Sequence, residues 1–187
     1  MTERGMIFNG EMVRAILDGR KTQTRRVMKP QPDEDGLAKV INGPWVDTSE
    51  RIYRCPFGVP GDRIWVRETW ARYNIDQHSH DMAYRATTPE DWPKEGRWRP
   101  SIHMPRWASR ILLEITDVRV ERLQAITLGD ICKEFGCGLY DFRPATYGFQ
   151  AWEELWKSIY GGDSWQANPW VWVIEFKRIG EDDHETD

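Results

Sequence analysis

The chain has no stretch approaching the roughly 20 apolar residues of a membrane-spanning helix, and its opening MTERGMIFNGEM holds no apolar core of signal-peptide length. A cytoplasmic protein without membrane contact is expected. Cysteine is scarce: Cys55, Cys132 and Cys137 are an odd set without a CxxC pair, which argues against a disulfide framework and for reduced thiols serving as small apolar fillers. Histidine is limited to four residues. The run His78-Ser79-His80-Asp81 places three possible ligands together but lacks the further partner of a tetrahedral site, so no metal and no cofactor are expected. A global basic footprint is absent as well, since 26 basic side chains face 30 acidic ones. Five of those acids, Glu181, Asp182, Asp183, Glu185 and Asp187, crowd the last seven residues, which predicts a frayed acidic tail over 181–187. Without them the body, residues 1–180, is a near-neutral single domain of 26 basic against 25 acidic side chains.

What is abundant is tryptophan, with eleven residues, enough to serve a core, a stacking platform or both. Positive charge is present locally. Glu11 to Lys29 carries six basic against two acidic residues, and Lys94 to Arg110 five against one.

Apolar spacing at Met12, Val13, Ile16 and Leu17 predicts a short helix after the apolar run MIFN, ended by Gly19. Residues 29–60 and 73–105, rich in Pro, Gly and polar side chains, read as long loop excursions. Arg63 to Trp70 reads as a strand, with Ile64, Val66 and Glu68 facing opposite to Trp65 and Arg67. In Ser109 to Leu123 the inward face moves from odd positions (Ile111, Leu113, Ile115) to even ones (Val118, Val120), which requires a bulge near Thr116-Asp117. Thr127 is placed to cap a short helix to Phe135. A second helix shows an aromatic face through Phe149, Trp152, Trp156 and Tyr160. PWVWVIEF reads as a strand covered on both sides. No βα alternation and no repeat appears, which leaves an α+β fold with a curved, mostly antiparallel sheet and a few helices.

GRKTQTRR, residues 19–26, has no apolar face of its own. Lys21 is a candidate base if burial and the neighbouring cations lower its pKa; Thr24 offers a hydroxyl for such a base; Arg20, Arg25 and Arg26 could hold phosphate or polarise a carbonyl. A solvated basic loop is the alternative. In GRWRPSIHMPRWASR, Arg106 and Trp107 with His103 between further arginines could grip and stack single-stranded nucleic acid, or the tryptophans could be core and the arginines paired.

GRKTQTRR after an amphipathic helix, PGDRIWVRE, LQAIT and WVWVIEF together resemble the ASCH family of the PUA-like superfamily, in particular its phage- and prophage-associated branch. The resemblance spans about Met6 to Lys177 and implies a small β-barrel with flanking helices and long loop insertions. It also implies a polar cleft around GRKTQTRR; because Arg67 and Glu68 point to opposite faces of their strand, only one of them can face it, and the resemblance does not decide which. The more distant bacterial acetylcytidine amidohydrolases carry a similar GRKTxTxR block, and by that likeness Lys21, Thr24 and Glu134 are the catalytic candidates. Three functions stay open: binding of single-stranded nucleic acid or a nucleoside-like ligand, hydrolysis of an acylated cytidine, and a phage-encoded interaction protein without catalysis.

Overall fold

The computed structural model describes residues 1–33, 36–39, 44–72, 81–138 and 141–180; His78, His80 and the expected tail lie outside them. Strand β1 (Glu3–Ile7) runs into α1 (Gly10–Leu17) through Asn9, whose side chain accepts from the Met12 N–H at 2.9 Å. That is the capping a helix start needs. Gly19 then adopts φ +71°, as expected of a residue just past a helix end, and the chain enters β2 (Gln23–Val27). The excursion at 29–60 is not structureless: β3 (Ala38–Lys39), β4 (Trp45–Val46) and β5 (Ile52–Tyr53) form a small meander.

Next come β6 (Arg63–Arg67), β7 (Trp70–Arg72) and β8 (Met82–Tyr84), then short 3₁₀ turns, then β9 (Leu112–Arg122). Helices α2 (Leu128–Phe135), α3 (Thr146–Tyr160) and α4 (Gly162–Ala167) precede β10 (Trp170–Arg178). The bulge falls where the parity change requires it: Glu175 pairs with Asp117 and Phe176 with Ile115, so Thr116 is the extra residue on β9.

The main sheet has the order β1-β6-β9-β10-β2, antiparallel throughout except for the parallel β1–β6 pair. Alternation along β10 sends Trp172, Ile174 and Phe176 into one core with Val13 and Ile16 of α1, and Val171 and Val173 into another with Ile131, Trp152 and Trp156 of α2 and α3. Burial on both faces explains its uninterrupted apolar run.

The mixed α and β content agrees with expectation, but the closed barrel does not form. β1 and β2 are the two edges of an open sheet. No ladder joins them, because β1 is paired to β6 and α1 intervenes before β2 begins. A side chain links them instead, Arg26 Nη2 donating to the Ile7 carbonyl at 2.8 Å. Among the described residues no helix is long and apolar enough to cross a membrane.

Candidate functional site

GRKTQTRR is a solvated turn only at its start, where Gly19 and Arg20 are exposed. From Lys21 onward it runs into the edge strand β2 against α2, and Lys21, Gln23, Thr24 and Arg25 are each at most 3% exposed. Strand alternation points Gln23 and Arg25 to the helix face, where Lys21 joins them at Glu134. Lys21 Nζ donates to the Glu134 carbonyl at 2.7 Å and to Oε2 at 3.1 Å. Arg25 Nη1 and the Gln23 amide reach Oε1 at 3.1 and 3.4 Å. Glu134 is brought there by α2, and the turn just after it requires glycine: Gly136 has φ +72°, and an added Cβ would meet Arg20 Cβ at 2.9 Å.

The cluster extends along the sheet. Arg25 Nη2 meets Glu121 at 2.9 Å and Asp130 at 3.5 Å. Arg119 meets Glu121 and Glu175 at 2.7 Å and Asp130 at 3.1 Å, and Lys133 meets Glu175 at 3.2 Å. Lys21, Arg25, Arg119 and Lys133 are thus matched by Glu121, Asp130, Glu134 and Glu175, with Asp117 at 3.8 Å on the rim. Such matching is what burial demands, since leaving an ion unpaired in the interior costs on the order of several kcal/mol. Lys21 and Arg25 therefore hold the fold's own carboxylates. Burial pushes the Lys21 ammonium below its ordinary 10.5; the charge and hydrogen bond of Glu134 oppose that shift without cancelling it.

Burial also works against ionisation of Asp130 and Glu175, yet both carboxyls lie below their ordinary values of 3.8 and 4.5. For Asp130 the Thr127 hydroxyl, Arg25 and Arg119 prevail; for Glu175, Arg119 and Lys133. A depressed folded-state pKa adds stability that is complete above the unfolded value and is lost as pH falls through the folded one. The melting temperature is therefore expected to decline steadily as pH drops below 4.5 and then 3.8, followed by circular dichroism. A melting temperature unchanged on passing well below both values would contradict it.

Beside this cluster lies a cleft of about 190 Å³. Thr24, Arg25, Arg26 and Glu134 form its polar side, and Trp152, Trp156, Leu155 and Tyr160 of α3 its apolar wall. Thr22 and Met28, at either end of β2, bond to Phe176 and Trp170. By antiparallel alternation the peptide groups of Thr24 and Arg26 also face β10, while the N–H and C=O of Arg25 face the open edge. The Thr24 side chain makes no hydrogen bond among the described residues. Three N–H donors of cleft residues, Trp152 Nε1, Arg25 Nε and Arg26 Nε, are buried without a partner among the described residues. Such orphans call for an explanation in a folded protein, an acceptor-bearing guest among them. Arg26, held to Ile7 and lying 5.3 Å from the Phe8 ring centre, has no carboxylate partner among the described residues.

The structure thus brings Lys21, Thr24, Arg25, Arg26 and Glu134 together, with Lys21 sealed behind Glu134 at 0% side-chain exposure. Glu68 lines a neighbouring hollow, clamped by Arg110 at 2.9 and 3.0 Å. Arg67 points the other way, as strand alternation demands, lying over Trp65 and bonding to the Ile102 carbonyl. Arg20 is held by Asp18 and the Gly136 carbonyl. His103, Arg106 and Trp107 stand on the outer surface: Arg106 pairs with Glu3 at 2.9 Å, and Trp107, 60% exposed, lies edge-on to Trp70 with Arg72 over its ring.

Sequence reasoning missed Gln23, Arg119, Glu121, Asp130, Trp152 and Tyr160. Two signals were present: Arg119 and Glu121 share a strand face, and Asp130 and Glu134 are one helical turn apart. No family model, curated protein or solved structure matches this chain.

Proposed function

We propose that the cleft binds a single nucleobase, carried by a nucleotide or standing unpaired in a single strand, and that the protein does so in the cytoplasm. The observation that carries this reading is the pairing of an aromatic wall with an unpaired strand edge. A base has apolar faces and a rim of donors and acceptors; Trp152, Trp156 and Tyr160 suit the faces, and the Arg25 peptide group, the Thr24 hydroxyl and the orphaned N–H groups suit the rim. At about 190 Å³ the cleft is smaller than the roughly 300–1,000 Å³ typical of drug-sized ligands, which favours one ring system over a chain of them. The resemblance of GRKTQTRR to the ASCH family points the same way.

Tyr160 tests the reading, since it lines the cleft yet is 37% exposed and its loss leaves the core intact. A base stacked on an aromatic ring is worth about 1–3 kcal/mol, so Tyr160→Ala is expected to weaken nucleoside binding about 5- to 150-fold, measured by quenching of tryptophan fluorescence. Equal affinity in the variant, or no quenching by any nucleoside, would end the reading.

A second reading, removal of an acyl group from a modified cytidine, draws on the Lys21–Glu134 contact beside the unengaged Thr24 hydroxyl. There Thr24 attacks or positions water, and Glu134, backed by Lys21, moves the proton. Acetate release from acetylated cytidine, lost in Lys21→Ala, is its signature, and a flat time course for the unmutated protein excludes it.

A further inference from the structure

We infer that the hollow across the β1–α1 corner from the cleft is a phosphate subsite, so that the preferred ligand is a nucleotide rather than a bare nucleoside; this rests on the reading of the cleft as a base site. The hollow, of about 420 Å³, shares Ile7 and Asn9 with the cleft. A ligand in one therefore lies a single turn of chain from the other.

Its charge is the argument. Arg14 and Arg85 line it, and neither has a carboxylate partner among the described residues. Arg14 is steadied by Nη1 donating to the Ala86 carbonyl at 3.1 Å, which leaves the rest of its guanidinium for a guest. The Arg85 side chain has no hydrogen-bond partner among the described residues, although its backbone N–H is anchored to the Thr69 carbonyl at 3.0 Å. The acid in the hollow, Glu68, does not cancel them: both its oxygens are taken by Arg110, which also lies 4.0 Å from the Tyr84 ring centre. Ser101 and Thr69 add hydroxyl-bearing walls. Arg26 stands at the boundary, bonded to Ile7 and over Phe8, a residue of this hollow.

Arg14 and Arg85 in the hollow and Arg26 in the adjoining cleft are thus three arginines without carboxylate partners among the described residues. Elsewhere in the site each cation is matched by a carboxylate, as at Lys21 and Arg25. Guanidinium groups held by backbone contacts and left without an anion suit the oxygens of a phosphate.

The test compares each common ribonucleoside with its 5′-monophosphate, and inorganic phosphate alone, on the full chain and on Arg85→Ala, with Lys94→Ala as a control of equal charge loss. Arg85 and Lys94 are both exposed, so neither change threatens folding. The monophosphate is expected to bind about tenfold more tightly than its nucleoside, the scale of one charge-assisted contact. That advantage should collapse in Arg85→Ala, persist in Lys94→Ala and shrink with salt.

Nucleosides that bind as well as their monophosphates would overturn the subsite and leave the base reading standing. The same effect in both variants would reduce it to general surface charge and overturn it too. Phosphate broadened in its NMR line in an Arg85-dependent manner, with no nucleoside bound, would keep the anion hollow and remove the base reading. Binding of none of these ligands would remove both.

Discussion

Glu134→Ala is expected to be the most damaging single substitution in the site, at about 3–5 kcal/mol of folding free energy, the range for breaking a buried ion pair from one side. Lys21 would keep only the Glu134 carbonyl, and Arg25 would lose one of its three carboxylates. That loss is a large share of the roughly 5–15 kcal/mol that holds a typical domain together. Removing Glu114 from its exposed pair with Lys177, at 3.2 Å, should cost no more than about 1 kcal/mol.

The mechanism has its own check, because the penalty arises from the stranded cation rather than from lost attraction. Adding Lys21→Met to Glu134→Ala should restore part of the stability, in urea unfolding, since the interior then holds one fewer unpaired charge. A Glu134→Ala cost as small as that at Glu114 would show that the pair is not buried as described.

Trp152→Ala is the second large effect, expected at about 3–5 kcal/mol, the range for truncating a buried Trp. Trp152 is 3% exposed, touches Phe135 and Trp156 edge-on or tilted, and carries the Arg25 guanidinium 5.9 Å from its ring centre. Core and cleft therefore share one side chain. Trp152→Phe separates the two roles by keeping a ring and deleting the unpartnered N–H. It should retain most of the stability and weaken nucleoside binding up to about tenfold, the scale of one neutral hydrogen bond. Stability lost with binding unchanged would confine Trp152 to the core.

The local elements were legible where short-range chemistry decides them. Thr127 caps α2 by accepting from the Asp130 N–H at 3.2 Å, Gly19 takes the left-handed turn, and the parity change in β9 is a bulge at Thr116. Each depends on neighbours within a few residues. The closed barrel failed for the opposite reason. Whether β1 and β2 meet depends on how far a twisted sheet curls and on what α1 leaves between them, neither of which has a local signature. The excursion at 29–60 hid its small meander because strands of two residues are too short to show periodicity.

The candidate site divides the same way. Residue type marked Lys21 and Thr24 as candidate chemistry, while Glu134, 113 positions further along the chain than Lys21, was singled out only by the likeness to the acetylcytidine amidohydrolases. The meaning of the charges was settled only in three dimensions. GRKTQTRR looks like a free basic run, yet Lys21 and Arg25 are neutralised by carboxylates from β9 and α2, while Arg14 and Arg85, unremarkable in the sequence, are left without one among the described residues. A sequence determines how many charges there are and which elements carry them; pairing depends on distances across the fold, because Coulomb attraction and desolvation act through space and not along the chain.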